Sequence, residues 1–152
     1  MRLQKATLED YKQISKYHYL KQPQFIKEIY KLTRYKEIVA ILVLSTTTPR
    51  SRGRSTHFKR DFTCKYLNKN FIRISRLIVI PKYQHHNISQ IILKKYLNIS
   101  KYKNVEVITK VRNINVFNKI MLTYKYISCY NKRMVYAIFD FFKVSGIRNF
   151  YF

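Results

Sequence analysis

Glycine is scarce in this chain: 152 residues contain two, with three prolines, two cysteines and no tryptophan. No low-complexity linker and no internal repeat is visible, which argues against an array of modules and for one domain spanning 1–152. The cysteines, Cys64 and Cys129, form neither a CxxC pair nor a Cys/His ligand cluster. That excludes a zinc site and a disulfide framework, so no metal is expected. Long apolar runs are missing too. The longest, Ile38 to Leu44, is far too short to span a bilayer, and the first residues lack the apolar core of a signal peptide. A soluble cytoplasmic protein without a membrane partner is the expectation.

Negative charge is the other shortage, with seven Asp plus Glu against 31 Lys plus Arg, a formal +24. AT-rich coding would enrich Lys, Asn, Ile, Tyr and Phe, but it would equally favour Asp and Glu and disfavour arginine, of which there are eleven. The charge is therefore read as functional. It points to a polyanionic partner, nucleic acid first and an anionic membrane surface second. A content of 47% hydrophobic and 16% aromatic residues indicates a folded globule.

Along the chain, Arg2 to Ala6 suits a short strand, and Thr7 caps a helix carrying Glu9 and Asp10 in its first turn. Glu37 to Thr46 reads as a buried strand because its apolar run is continuous and β-branched. Residues 47–60 read as a basic loop. Arg50, Arg52, Arg54, Lys59 and Arg60 alternate there with small polar residues, a pattern suited to a segment that orders on a phosphate backbone. From Phe71 an apolar run leads to Pro81, and Ile88, Ile91, Ile92 and Tyr96 follow at helical spacing. A turn that delivers the chain into a helix presents amides with no internal partner, which makes it a natural anion site. Val105 to Val111 reads as a strand, Asn113 to Leu122 as a helix and Val135 to Phe142 as a last strand, before an aromatic tail ending NFYF. The order strand, helix, long loop, strand, strand, helix, strand, helix, strand predicts an α/β (α+β) domain, a mixed central sheet flanked by helices.

The segment RLIVIPKYQHHNISQIILKKYL resembles the central motif of the GNAT acyltransferase superfamily. In that family a strand ending V-x-P-x-[YF] runs into a glycine-rich turn that grips the pyrophosphate of acetyl-CoA. The resemblance implies that Gln84, His85, His86, Asn87, Ile88 and Ser89 hold the pyrophosphate of acetyl-CoA or another acyl-CoA. It also implies that backbone groups of Leu77, Ile78 and Val79 hold the pantetheine arm, with an amide there stabilising the oxyanion formed on acyl transfer. The sequence departs from the motif at Asn87, where the first glycine is expected, at Ser89, where Gly or Ala is expected, and at His85, where Gly is common. Asn113 to Leu122 resembles the family's following helix, with Phe117 in the place of a Tyr that protonates the departing thiolate. Tyr124 and Tyr126 stand nearby as substitutes. The opening RLQKATLEDYKQI resembles the usual start of such a domain, and YHYLKQP resembles a segment of the ABC-ATPase-associated and Mom-type DNA-modification members. By that resemblance His18 and Tyr19 become catalytic or substrate-contacting candidates beside Tyr124.

Two readings stay open at this point. One is an acyl-CoA-dependent N-acyltransferase acting on nucleic acid or a nucleic-acid-associated substrate, with Mom-like modification of a DNA base as its sharpest form. The other is a catalytically degenerate fold kept as a nucleic-acid-binding or assembly module. Ordinary protein or small-molecule acetylation is disfavoured by the charge.

Overall fold

The computed structural model describes residues 1–18, 23–118, 128–130 and 134–140. Two compact units emerge, one built from Met1–Thr46 and Arg73–Ser100, the other from Thr47–Ile72 and the described residues from Lys101 onward. The chain passes between them three times, so neither is a continuous segment.

The first unit begins with β1 (Arg2–Lys5), which leads directly into α1 (Leu8–Ser15). A reciprocal capping box starts the helix: the Asp10 amide donates to Thr7 Oγ1 at 3.2 Å and the Thr7 amide donates to Asp10 Oδ2 at 2.9 Å. Tyr11 and Ile14, three apart, turn inward onto Ile29, Ile41, Val43 and Ile78. Strands β2 (Ile26–Arg34) and β3 (Glu37–Ser45) form an antiparallel hairpin, and β4 (Phe71–Val79) pairs with β3 on its other side from Arg73 onward. Ile41 and Val43 face α1. The alternate residues Ala40, Leu42 and Leu44 point the other way, and α4 (Ile88–Ile99) packs on β3 and β1. Cover on both faces is why the β3 sequence is continuously apolar rather than alternating.

Strand β2 corrects the expected long loop between the first helix and Glu37. Its Lys and Glu residues hide the apolar set Ile29, Tyr30 and Leu32. The hairpin also lacks the usual signal. Arg34 pairs with Glu37, leaving Tyr35 and Lys36 as the loop, at φ 49° and 69°. Both central residues of such a turn need positive φ, which Asn-Gly normally supplies and here Tyr-Lys does.

In the second unit, α2 (Arg52–Phe58) and α3 (Cys64–Asn70) precede β5 (Asn104–Lys110), and α5 (Ile114–Asn118) follows it. Strand β7 (Met134–Asp140) pairs antiparallel with β5 and with the short β6 (Ser128–Tyr130). Leu67, Phe71, Tyr136 and Ile138 make its core, flanked by Phe58, Phe62 and Ile108. The rings of Phe58, Phe62 and Phe71 meet at centroid distances of 5.2 to 5.6 Å, in edge-on and tilted arrangements that suit aromatic quadrupoles. The expected aromatic tail lies outside the described residues.

Candidate functional site

At the end of β4 the Ile80 amide still bonds to Val39 O at 3.0 Å, and Pro81 then stops the ladder because it has no N–H to give. A single 3-10 turn, Pro81–Tyr83, is closed by the amides of Tyr83 and Gln84 donating to Ile80 O and Pro81 O. The next residues hold the unusual backbone: His85 has φ 68° and Asn87 has φ 57° and ψ 16°. A left-handed conformation costs an ordinary residue about 1–2 kcal/mol. These are two of the three positions where the motif resemblance offers glycine, the third, Ser89, being helical, so the turn keeps a left-handed path without the glycines.

Asn87 is also the N-cap of α4. Its carbonyl accepts from the amides of Gln90 and Ile91 at 3.0 Å, but its side chain makes no capping bond. The amides opening α4 are thus left uncapped by Asn87, at the positive end of a twelve-residue helix. Gln84, His85, His86 and Asn87 are exposed, Ser89 is half-buried and Ile88 is buried. Two of the exposed side chains fold back on the turn itself. Gln84 Nε2 donates to Val79 O at 3.3 Å, and His86 Nδ1 donates to Gln84 O at 2.8 Å. They brace the loop, while the side chains of His85 and Asn87 remain exposed. The residues present fit an acyl-CoA pyrophosphate, since residues 84–89 are mostly exposed and carry no carboxylate, and Asn87 leaves the opening amides of α4 uncapped.

Leu77, Ile78 and Val79 sit directly upstream, paired with Leu42, Ile41 and Ala40. Ile78 is buried in the core under α1, while Leu77 and Val79 are only half-buried. Between Val43 and Leu44 the register slips, so that Ser75 becomes the extra residue of a β-bulge. Its hydroxyl donates to Val43 O at 3.0 Å and accepts from Ser45 at 2.9 Å, which pins the distortion. Bulges re-aim backbone groups, and this one lies two residues before Leu77. Nothing in the local sequence announces it.

One acid lies beside this turn and is neutralised locally. Glu37 accepts from Lys82 at 2.5 Å and from Tyr83 at 2.7 Å, and these bonds hold its carboxyl below the usual range. His18 follows α1, its amide bonded to Ser15 O at 2.9 Å, and is half-buried. Tyr19 and Tyr124 lie outside the described residues. Phe117, in the place of the expected acid, is 5% exposed in α5.

The basic segment differs from its expectation. Residues 52–58 form α2 rather than a loop, and Arg54 is not available to a phosphate. Arg54 is 2% exposed. Its Nε reaches Glu106 Oε2 at 3.2 Å, and Nη2 donates to Thr47 Oγ1 at 2.6 Å and to Thr48 O at 2.7 Å. Tyr136 OH donates to the same Glu106 oxygen at 2.9 Å, and Thr47 donates to the other. A buried charge is tolerated only with such complete pairing. The reading failed because the partner stands 52 residues away on β5. Arg50, Arg52, Lys59 and Arg60 are exposed, as a phosphate contact requires.

Neither a family model nor a curated protein matches this sequence. Solved structures do. Mutant forms of the spermidine/spermine N-acetyltransferase SpeG from Vibrio cholerae superpose with a TM-score of 0.66 at 8% identity, over 97% of this chain and 99% of that one. A GNAT family acetyltransferase from Elizabethkingia anophelis with acetyl-CoA bound gives 0.57 at 13% identity, over 91% and 97%. The ribosomal-protein-S18-alanine N-acetyltransferase from Escherichia coli gives 0.56 at 11% identity, over 90% of each chain. Strand, left-handed turn and uncapped helix thus occur in a chain that has the α+β fold of the GNAT acetyltransferases.

Proposed function

We propose that this protein is an acyl-CoA-dependent N-acyltransferase acting on nucleic acid or on a substrate held by nucleic acid. One observation carries the reading: His85 and Asn87 adopt the left-handed backbone that glycine would supply, ahead of the uncapped amides of α4. Positive φ at non-glycine residues also occurs at Phe25, Tyr35, Lys36 and Lys59, and what sets this pair apart is its place between Pro81 and the opening of α4. Acyl-CoA would bring the acyl group as a thioester. The residues of the chain would hold its pyrophosphate on the amides of Ile88 and Ser89, and the β4 backbone at Leu77 to Val79 would run alongside the arm. The bulge at Ser75 re-aims that backbone.

The acceptor class follows from charge. SpeG is a spermidine/spermine N-acetyltransferase, and spermidine is a polycation. A chain of net +24 repels such a molecule and gathers polyanions instead. Arg50, Arg52, Lys59 and Arg60 would contact phosphates, with Arg54 excluded from the set by its buried pairing. The amine attacked would be a base or an associated amine near His18, and Mom-like modification of a DNA base is the most specific form, resting on the YHYLKQP segment. Incubation with isotope-labelled acetyl-CoA and a mixture of DNA and RNA, followed by mass spectrometry of the digested nucleosides, tests this directly. Label on a nucleoside supports it, and label confined to acetyl-CoA and free acetate contradicts it.

A second reading is favoured by Phe117. A buried phenylalanine offers no proton to a departing thiolate. On that reading the fold is a nucleic-acid-binding module and acetyl-CoA does not bind.

A further inference from the structure

Beside the turn, the first unit carries a groove that shares His86 and Ile88 with the turn and runs on to the β2–β3 hairpin, a part the motif resemblance does not assign. It has a volume of about 1130 Å³ and is lined by Arg2, Arg34, Tyr35, Lys36, Lys82 and His86 among others, without a single carboxylate in the lining. That exceeds the roughly 300–1,000 Å³ of small-molecule pockets. Lys31, also in the lining, is paired with Asp10 at 2.8 Å, and Lys82 with Glu37. Arg2, Arg34 and Lys36 are exposed. At the groove's rim stands the β2–β3 hairpin, whose loop residue Tyr35 is 91% exposed with the Arg34 guanidinium 5.4 Å from its ring centre.

We infer that this groove is a docking site for single-stranded nucleic acid, with Arg2, Arg34 and Lys36 on phosphates and Tyr35 stacked on a base. Three features select this occupant. A cationic trough with no acid in its lining suits a chain of phosphates rather than one anion. An exposed aromatic ring beside it, with the Arg34 guanidinium over it, suits a base face, and only an unpaired strand offers base faces to a protein surface. The ring also stands at the tip of a tight two-residue hairpin loop, where Tyr35 and Lys36 both sit at positive φ and Tyr35 is almost fully exposed. The inference rests on nucleic acid as the partner in the proposed function, and it is independent of acyl transfer.

The test is fluorescence anisotropy of a labelled single-stranded oligonucleotide with the full chain over a series of salt concentrations. The groove variant is Arg34→Gln with Lys36→Asn, and the stacking variant is Tyr35→Asn, because Asn tolerates the left-handed backbone of the hairpin. Losing two phosphate contacts should lower the salt slope by about 1.4 and the affinity at 0.1 M salt by about 25-fold. Removing the ring should weaken single-strand binding about tenfold and leave duplex binding unchanged. Circular dichroism confirms that each variant is folded. The groove is overturned if its variants bind like the parent while Arg50→Gln, Arg52→Gln, Lys59→Gln and Arg60→Gln together abolish binding, an outcome that leaves the proposed function standing. It is also overturned if the parent binds anionic vesicles but no oligonucleotide, or if the groove variants lose acetyl-CoA and keep the oligonucleotide. Loss of oligonucleotide by the groove variants in a protein that never binds acetyl-CoA would support the groove and remove the acyltransferase.

Discussion

Arg34 and Arg54 carry the same charge in opposite settings. Arg34 ends β2 in open solvent, with no carboxylate lining the groove beside it. Arg54 lies inside the second unit, its guanidinium divided among Glu106, Thr47, Thr48 and Pro49. The contrast teaches that the positive charge of this chain is not one population. A surface charge attracts a ligand and contributes little to folding, whereas a buried one fixes the fold and is closed to ligands.

The sharpest way to break the comparison is to neutralise each arginine. Arg54→Leu leaves the Glu106 carboxylate buried without its countercharge, and should cost about 3–5 kcal/mol in urea unfolding. Arg34→Gln should stay within about 0.5 kcal/mol of the parent. Equal costs would mean that the buried network does not hold the second unit together. Replacing both partners, Arg54→Met with Glu106→Leu, should recover much of the loss, because the penalty lies in the orphaned charge rather than in the missing pair.

Next in size is Gly53→Ala. A Cβ at Gly53 would collide with the Tyr136 ring, and Tyr136 is the residue that donates to Glu106. Thermal melts should show a loss of about 1–3 kcal/mol. Here glycine is kept for close approach and not for a positive φ, the reverse of the turn at His85 and Asn87.

A smaller loss is expected at Asp10, which bonds Thr7 in the capping box and Lys31 on β2. Its bond to Lys31 holds its carboxyl below the ordinary value of 3.8, with the Thr7 amide adding to the effect. A folded-state value below the unfolded one stabilises at pH above 3.8 and fades as pH falls through the lowered value. Asp10→Asn should therefore cost about 1 kcal/mol at neutral pH, and the difference from the parent should vanish in acid. A difference that persisted below the lowered value would assign the loss to packing.

What the sequence could reveal followed the range of its interactions. The α1 cap, the continuous run of β3 and the step from β4 into α4 are written in neighbouring residues, and each is present within a residue or so of its expected bounds. Strand β2 was hidden because its turn uses Tyr35 and Lys36 where a glycine would have announced a hairpin. The helix α2 was hidden because alternating Arg and Ser match a solvated loop until Glu106, 52 residues on, supplies a buried partner. The turn before α4 was legible as a position and not as a geometry. Only the backbone angles of His85 and Asn87 show that side chains there still permit the left-handed path. The catalytic candidates Tyr19 and Tyr124 fall outside the described residues.

The central claim is that this turn holds an acyl-CoA, and titration calorimetry with acetyl-CoA and with free CoA tests it most directly, after bound nucleic acid is stripped in high salt. The account predicts micromolar binding of both ligands, weakened at least tenfold by Ser89→Glu, which sets a carboxylate against the phosphates at the opening of α4. No heat at millimolar ligand, from a folded protein that still binds an oligonucleotide, would contradict the claim and leave the nucleic-acid-binding module in its place.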